Sequence, residues 1–289
     1  MSNLASMEEN SAAETVDSTC TGRVESPCVQ VQTRDGIALL TLNRPATGNS
    51  MNAELLADLR SALRELAAQT ALRGVLITGA GKAFSLGGDV RAYHRALSSD
   101  SFDAAAYGDR LTSLLSEVVL TVRSIGCPVL AAVNGQAAGA GFSLALACDL
   151  RLASRRASFH FAYGAIGAST DAGMAWFLPR VVGYPRALEL LLEQPVLRAA
   201  QAQREGLVSA VVEPEELVGA GLARLRELAE AAPHAVRSAK RLLDRSLSTD
   251  LAEHLELERK DFAEGVASQD MRHGVTALLD GEWPRFQGR

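Results

Sequence analysis

Apolar residues recur along the chain in two spacings, which predict alternating strands and helices. Short runs of aliphatic residues predict strands, and Asp35-Gly36 is typical of a hairpin turn between the first two. Leucines three and four residues apart predict a helix that Asn52 would cap. Strands are predicted over 28–34, 37–42, 74–79, 128–133 and 150–153, and helices over 53–68, 104–124, 215–231 and 234–246, with two more beginning after Asp171 and near Pro185.

The pattern divides the chain into three parts. Residues 1–26 are rich in Ser, Thr, Glu and Ala without periodicity, which predicts a disordered tail. Residues 27–213 alternate strands with helices and predict an α/β core, in which the polar stretch 98–103 is a loop. Residues 214–289 predict helices only.

Composition and charge narrow the function classes. Among 289 residues 47% are apolar, and the net charge is 29 − 34 = −5 without a long basic run, which argues against nucleic acid as a partner. We expect no membrane span and no secretory signal, and therefore a cytoplasmic protein. The four cysteines and five histidines show no metal-ligand spacing, so no metal is expected.

Two glycine-rich segments are the candidates for a catalytic site. Residues 83–90 read AFSLGGDV and residues 134–143 read NGQAAGAGFS, each where a strand pattern gives way to a helix pattern. Such junctions leave backbone N–H groups unpaired. Two of them facing one another would stabilise a negative oxygen, often the largest single contribution to catalysis.

With these segments placed, the chain resembles the crotonase superfamily, the enoyl-CoA hydratase/isomerase family. Similar motifs in the same order include Leu42-Asn43-Arg44-Pro45, Ala147-Cys148-Asp149-Leu150 and Glu282-Trp283-Pro284. The resemblance implies an α/β fold, a spiral of ββα units with a C-terminal helical trimerisation region. It also implies an acyl-CoA substrate, no cofactor other than the coenzyme A carried by that substrate, and a homotrimer or homohexamer.

The resemblance also implies site residues. The backbone N–H groups of Gly88 and Ala140 would form the oxyanion hole. Substrate-binding positions are Arg44, Ala46, Leu86, Gly87, Asp89, Val90, Gly141 and Tyr163. Because the family usually has glycine at position 140, the alanine can donate its N–H without strain only if its φ is negative.

The family's hydratases use two glutamates, and those positions match Ser143 and Tyr163. The hydroxyl pKa values of serine and tyrosine lie far above neutrality, so neither side chain can readily replace a carboxylate as a base. Asp171 matches the single aspartate of isomerase members, which moves a proton between carbons of the acyl chain. The sequence alone also allows Asp171 to be the N-cap of the following helix.

Three other functions stay open from the sequence. Hydration would need water activated by another residue. Aryl dehalogenation would use Asp171 as nucleophile, but the helix histidine that serves as its base is replaced by Ser116. A non-catalytic member would bind acyl-CoA or a protein without turnover.

Overall fold

The structure is a computed structural model and describes residues 23–25, 28–98 and 103–289. Its strands are β1 Arg23–Glu25, β2 Val29–Arg34, β3 Ile37–Leu42, β4 Gly74–Gly79, β5 Ala83–Ser85, β6 Val129–Val133, β7 Gln136–Ala138, β8 Leu150–Ser154, β9 Ser158–His160, β10 Leu197–Arg198 and β11 Ala210–Val212. Its α-helices are α1 Ala53–Ala67, α2 Val90–Leu97, α3 Ala104–Ser124, α4 Ala140–Ala147, α5 Met174–Val182, α6 Tyr184–Glu193, α7 Ala199–Arg204, α8 Leu217–Ala229, α9 Pro233–Arg245, α10 Leu251–Val266 and α11 Gln269–Asp280.

The strands form two sheets that define the core. The larger sheet has seven strands in the order β1-β2-β3-β4-β6-β8-β11, parallel from β3 onward, and the smaller has the order β10-β9-β7-β5. Each of the pairs β4–β5, β6–β7 and β8–β9 places one strand in each sheet, and a helix follows the second strand. The α/β fold of ββα units predicted from the sequence is therefore present.

The central strands β4 and β6 are buried on both faces. Val75 and Ile77 belong to the main apolar core with α1 and α3, whereas Leu76 between them packs with α8 on the opposite face. Successive strand residues point to opposite sides, so a parallel strand covered on both sides reads as an unbroken apolar run. This is why the sequence pattern located both strands correctly.

Helix caps explain where the long helices begin. Asn52 accepts a hydrogen bond from the Leu55 N–H at 2.9 Å at the start of α1, and Asp103 accepts one from the Ala106 N–H at 2.9 Å at the start of α3. Both helices lie within one residue of their predicted bounds. The C-terminal helices α8 and α9 also form where they were predicted: α8 is two residues shorter at each end, and α9 is shifted by one residue towards the N-terminus.

The structure adds elements that the pattern did not predict. Strand β1 pairs with β2 antiparallel, with Arg23 opposite Gln32, and it lies inside the segment predicted as a tail. Three residues at the sheet edge are too few for a periodic signal. The rest of the predicted tail, and residues 99–102 of the predicted loop, lie outside the described residues.

Helices α9, α10 and α11 leave much apolar surface exposed. They enclose a groove of about 930 Å³ lined largely by apolar side chains, among them Leu255, Phe262, Val266 and Leu278. These four side chains are 48–78% exposed. Within the described part of the chain, none of the helices combines the length and apolarity needed to cross a membrane.

Candidate active site

The small sheet brings the two glycine segments together. Its strands β5 and β7 are parallel neighbours, with Ser85 opposite Ala137, and each strand is part of one segment. Gly87 has φ 79°, and a Cβ built there would lie 2.5 Å from the Ala138 oxygen and 3.1 Å from the Ala140 nitrogen. Only glycine allows so close an approach of the two backbones.

The hydrogen bonds of its neighbours turn the Gly88 N–H away from Met51. The Met51 N–H donates to the Gly87 oxygen at 2.7 Å, and the Asp89 N–H donates to the Met51 oxygen at 3.3 Å. Successive N–H groups of an extended segment point to opposite sides, so the Gly88 N–H faces away from Met51. It makes no hydrogen bond to another described residue.

Ala140 is the first residue of α4, and the unusual backbone conformation lies one residue earlier. Gly139, the N-cap, has φ 47° and ψ −122°, whereas Ala140 is not among the described residues with positive φ. The Ala140 N–H is one of the helix's unpaired N-terminal donors and makes no hydrogen bond to another described residue. The condition that the sequence placed on Ala140 is therefore met.

Asp171 belongs to a chain of three hydroxyl and carboxyl groups. The Tyr163 hydroxyl donates to Asp171 Oδ1 at 2.7 Å, and the Ser143 Oγ lies 2.8 Å from the Tyr163 oxygen. The three side chains come from α4, from the turn after β9 and from the loop before α5. Ser143 and Tyr163 are at the two positions that match the glutamates of the family's hydratases. Tyr163 joins Ser143 to Asp171.

The structure decides against Asp171 as a helix cap. Helix α5 has Gly173 as N-cap and no side-chain cap hydrogen bond, and the Asp171 carboxylate is engaged by Tyr163 instead. Only the Asp171 backbone oxygen takes part in the turn, accepting from the Met174 N–H at 3.0 Å.

Burial is the main influence on the pKa values of Asp171 and Tyr163. Desolvation raises the pKa of Asp171, although the hydrogen bonds from Tyr163 and from its own backbone N–H act in the opposite direction. Burial, followed by the negative charge of Asp171, raises the pKa of Tyr163 well above its usual range. Tyr163 therefore stays protonated at neutral pH and remains a donor.

Tyr93 is a site residue that the sequence reasoning did not single out. A Cβ built on Gly88 would lie 3.2 Å from Tyr93 Cε2, and the Tyr93 ring meets the Tyr107 ring edge to face at 5.6 Å. Burial, followed by the negative charge of Asp171, raises the pKa of Tyr93. Its position on the first turn of α2, just after the first glycine segment, is a signal that would have pointed to it.

A groove of about 530 Å³ opens beside the first glycine segment. Six positions predicted from the sequence line it: Arg44, Ala46, Leu86, Gly88, Asp89 and Val90. Arg91 and Arg95, which the sequence reasoning did not name, add two cations. Gly87, Gly141 and Tyr163 lie elsewhere around the glycine segments and are not part of its lining.

Asp89 and Arg44, which line the groove, also make contacts within the protein. Asp89 caps α2 by accepting from the Ala92 N–H at 3.1 Å and lies 3.9 Å from the Arg44 guanidinium. Arg44 in turn donates to the Ser50 oxygen at 2.6 Å. The guanidinium of Arg44 is therefore held at the groove, while Asp89 fixes the start of α2.

Comparison with known proteins finds similar chains described as enoyl-CoA hydratases and isomerases. A protein from Rhodobacter capsulatus described as "Probable enoyl-CoA hydratase" is 36% identical over 265 residues, covering 90% of this chain and 98% of its own. The 1,2-epoxyphenylacetyl-CoA isomerase of Escherichia coli is 35% identical over 254 residues, covering 88% of this chain and 96% of its own. The crystal structure of an enoyl-CoA hydratase from Polaromonas sp. JS666 superposes with a TM-score of 0.83 at 30% identity, covering 90% of this chain and 99% of that one.

The family model for enoyl-CoA hydratase/isomerase matches residues 32–289, which include both glycine segments, the Asp171 loop and all the C-terminal helices. The chain belongs to the enoyl-CoA hydratase/isomerase family.

Proposed function

We propose that this enzyme moves a double bond, or a related unsaturated system, within the acyl group of a coenzyme A thioester. The observation that carries the proposal is the Asp171 carboxylate. It is anchored through Oδ1 by Tyr163, and Oδ2 makes no hydrogen bond to another described residue. Such a group has one oxygen fixed and one free to exchange a proton.

The proposed reaction consists of two proton transfers. Asp171 takes a proton from an acyl carbon, and the electron pair left behind is delocalised onto the thioester oxygen as an enolate. The N–H groups of Gly88 and Ala140 stabilise that negative oxygen, assisted by the positive end of the α4 dipole. Protonated Asp171 then returns the proton to a different carbon, so the product is an isomer and no water is consumed.

The raised pKa of Asp171 suits both steps. A carboxylate with an ordinary pKa is a weak base towards carbon, and efficiency improves as the pKa of the base approaches the working pH. Desolvation supplies that increase here, while the hydrogen bond from Tyr163 limits it.

Hydration is the second candidate, because most of the similar proteins carry hydratase descriptions. The two functions are separated by mass spectrometry of a 2-enoyl-CoA and a 3-enoyl-CoA incubated in H₂¹⁸O and, separately, in D₂O. Isomerisation yields a product without ¹⁸O, and deuterium enters at carbon only to the extent that protonated Asp171 exchanges its proton with D₂O before returning it. Hydration adds one labelled oxygen.

The role of Asp171 is tested by Asp171→Asn, which keeps the shape and removes the base. We expect kcat to fall by 10²–10⁴-fold, a typical range for loss of a general acid or base, while calorimetric binding of the acyl-CoA is retained. Asp280→Asn, remote in sequence at the end of α11, is the matched control. Full activity of Asp171→Asn would refute the role, and binding without turnover by the wild type would identify a non-catalytic member.

We further propose that the groove beside the first glycine segment takes the phosphates of coenzyme A. Three guanidinium groups line it, those of Arg44, Arg91 and Arg95, and guanidinium pairs with phosphate in a bidentate manner. Leu86, half-exposed Val90 and Ala46 supply the apolar part of the wall.

We also propose that the exposed apolar faces of α9–α11 associate with further copies of the chain as a homotrimer or homohexamer. Apolar patches this extensive on a folded surface typically mark an interface. Analytical ultracentrifugation tests this, and a monomer at micromolar concentration would refute it. Phe262→Glu on α10 is expected to lower the association state.

A further inference from the structure

We infer that Tyr163 is a positioning residue that fixes the orientation of the Asp171 carboxylate and sets the pH range in which it acts as a base. The inference deepens the proposed function and rests on it for its kinetic consequences. Its first support is geometric. Tyr163 is 8% exposed, and its hydroxyl is within hydrogen-bond distance of both Asp171 Oδ1 and Ser143 Oγ.

The direction of the hydrogen bonds follows from the proton count. An ionised Asp171 can only accept, so the single hydroxyl proton of Tyr163 points to Oδ1. The Tyr163 oxygen then accepts from the Ser143 hydroxyl, which also lies 3.2 Å from the Gly139 oxygen. Ser143 acts on Asp171 only through Tyr163, because no contact joins Ser143 to Asp171 directly among the described hydrogen bonds.

The backbone on both sides of this contact is unusual. Ala162, which precedes Tyr163, has φ 62°, and Ala172, which follows Asp171, has φ 48°. L-residues other than Asn and Asp rarely adopt this conformation, and it costs roughly 1–2 kcal/mol at each position. Backbone strain of this kind clusters at functional sites, and here it accompanies the contact between Tyr163 and Asp171.

Among the described residues, two titratable side chains interact with the carboxylate. Tyr163 donates a hydrogen bond to it, and the pKa of Tyr93, on α2, is raised by burial and then by the charge of Asp171. A donor stabilises the charged form of a carboxyl group, so removing the Tyr163 hydroxyl raises the pKa of Asp171 further. Asp171 acts as a base only while it is ionised, and activity falls as the pH is lowered through its pKa. Because removal of the Tyr163 hydroxyl raises that pKa, the loss of activity on acidification begins at a higher pH.

The test has a readout that does not need catalysis. The Asp171 carboxyl is titrated by ¹³C NMR in protein labelled at aspartate Cγ, and its resonance is assigned by its loss in Asp171→Asn. Tyr163→Phe is expected to raise the midpoint by about one pH unit, the size of one hydrogen bond to a charged group. Tyr184→Phe, the same change at a side chain 71% exposed on α6, is expected to leave it unchanged.

Kinetics supply the second readout. In Tyr163→Phe the acid limb of kcat/KM moves to higher pH by the same amount, whereas KM changes less than threefold. A merely structural role for Tyr163 would lower activity equally at every pH. Ser143→Ala is expected to move the midpoint in the same direction by a few tenths of a unit, and to have no effect in the Tyr163→Phe background.

An Asp171 midpoint unchanged by Tyr163→Phe, or a Ser143→Ala effect that persists without the Tyr163 hydroxyl, would overturn the inference. If Tyr163→Phe does not fold, as judged by circular dichroism, the Ser143→Ala titration decides alone, and an unchanged midpoint overturns the inference. If the wild type turns over no acyl-CoA, the proposed function fails while the titration still decides the role of Tyr163.

Discussion

Replacement of Ala140 by proline removes one backbone donor from the proposed oxyanion hole and puts the ring Cδ in the place of the N–H. Proline has no N–H and is favoured at the first position of a helix, where Ala140 lies. The residue before a proline must be extended, and the φ of 47° and ψ of −122° at Gly139 are the mirror image of an extended conformation that glycine adopts freely. The backbone is thus already compatible with the substitution.

The expected loss follows from the position of the missing donor. Losing one oxyanion donor raises the barrier by about 3 kcal/mol, and about 1.4 kcal/mol corresponds to a factor of ten in rate. We therefore expect kcat of Ala140→Pro to fall by on the order of 10²-fold. Ala140→Gly keeps the N–H and is expected to stay within about threefold of the wild type.

The assay is the steady-state turnover of an unsaturated acyl-CoA that the wild type converts, followed with thermal melting of each variant. Ala104→Pro makes the same change at the first position of α3, which follows the capping residue Asp103. We expect its kcat to be unchanged. Refutation would consist of a folded Ala140→Pro enzyme with kcat close to that of the wild type, because the Ala140 N–H would then not bind the oxyanion.

Three further predictions concern stability and substrate binding. Asp149 pairs with Arg123 at 2.9 Å and Lys240 at 2.7 Å, whose side chains are 21% and 12% exposed, so Asp149→Ala should lower the free energy of unfolding in urea by about 3 kcal/mol. Glu213→Ala breaks an exposed pair and should cost under about 1 kcal/mol; equal losses would contradict the burial argument. Ala172→Gly relieves a positive φ worth roughly 1–2 kcal/mol and loses about 0.5–1 kcal/mol of backbone entropy, so stability should stay the same or rise by up to about 1 kcal/mol, whereas Ala187→Gly within α6 should cost about 1 kcal/mol or more. Arg95→Ala should raise KM for an acyl-CoA several-fold without changing kcat, and the effect should shrink as salt rises; an unchanged KM would exclude a phosphate contact.

The sequence predicted the central strands β4 and β6 of the large sheet well because each is a short, almost entirely apolar run. All six residues of β4 and all five of β6 are buried, so local composition alone marks them. The three-residue strands β7 and β9 could not be found in this way. Their pairing depends on the neighbouring strand rather than on a local period, and yet they position the second glycine segment and Tyr163.

The candidate site was predicted residue by residue but not as a set of contacts. Asp171 and Tyr163 were named for separate roles, and no sequence pattern showed that they share a hydrogen bond. Alanine, not glycine, takes positive φ at positions 162 and 172, so neither position carries the usual residue signal, although Gly173 with φ 79° follows Ala172. Arg91, Arg95 and Tyr93 were not named because their importance follows from the orientation of α2.

The start of α4 separates two requirements that are usually met by one kind of residue. Gly139 supplies the backbone conformation, and Ala140 supplies the N–H, so position 140 does not have to be glycine. The side chain at position 140 can therefore vary, in evolution or in a mutant library, while the N–H of that residue is retained. Variation at position 139 offers no such freedom, since every L-residue there works against the turn. Two adjacent codons therefore differ sharply in how much change this enzyme should tolerate.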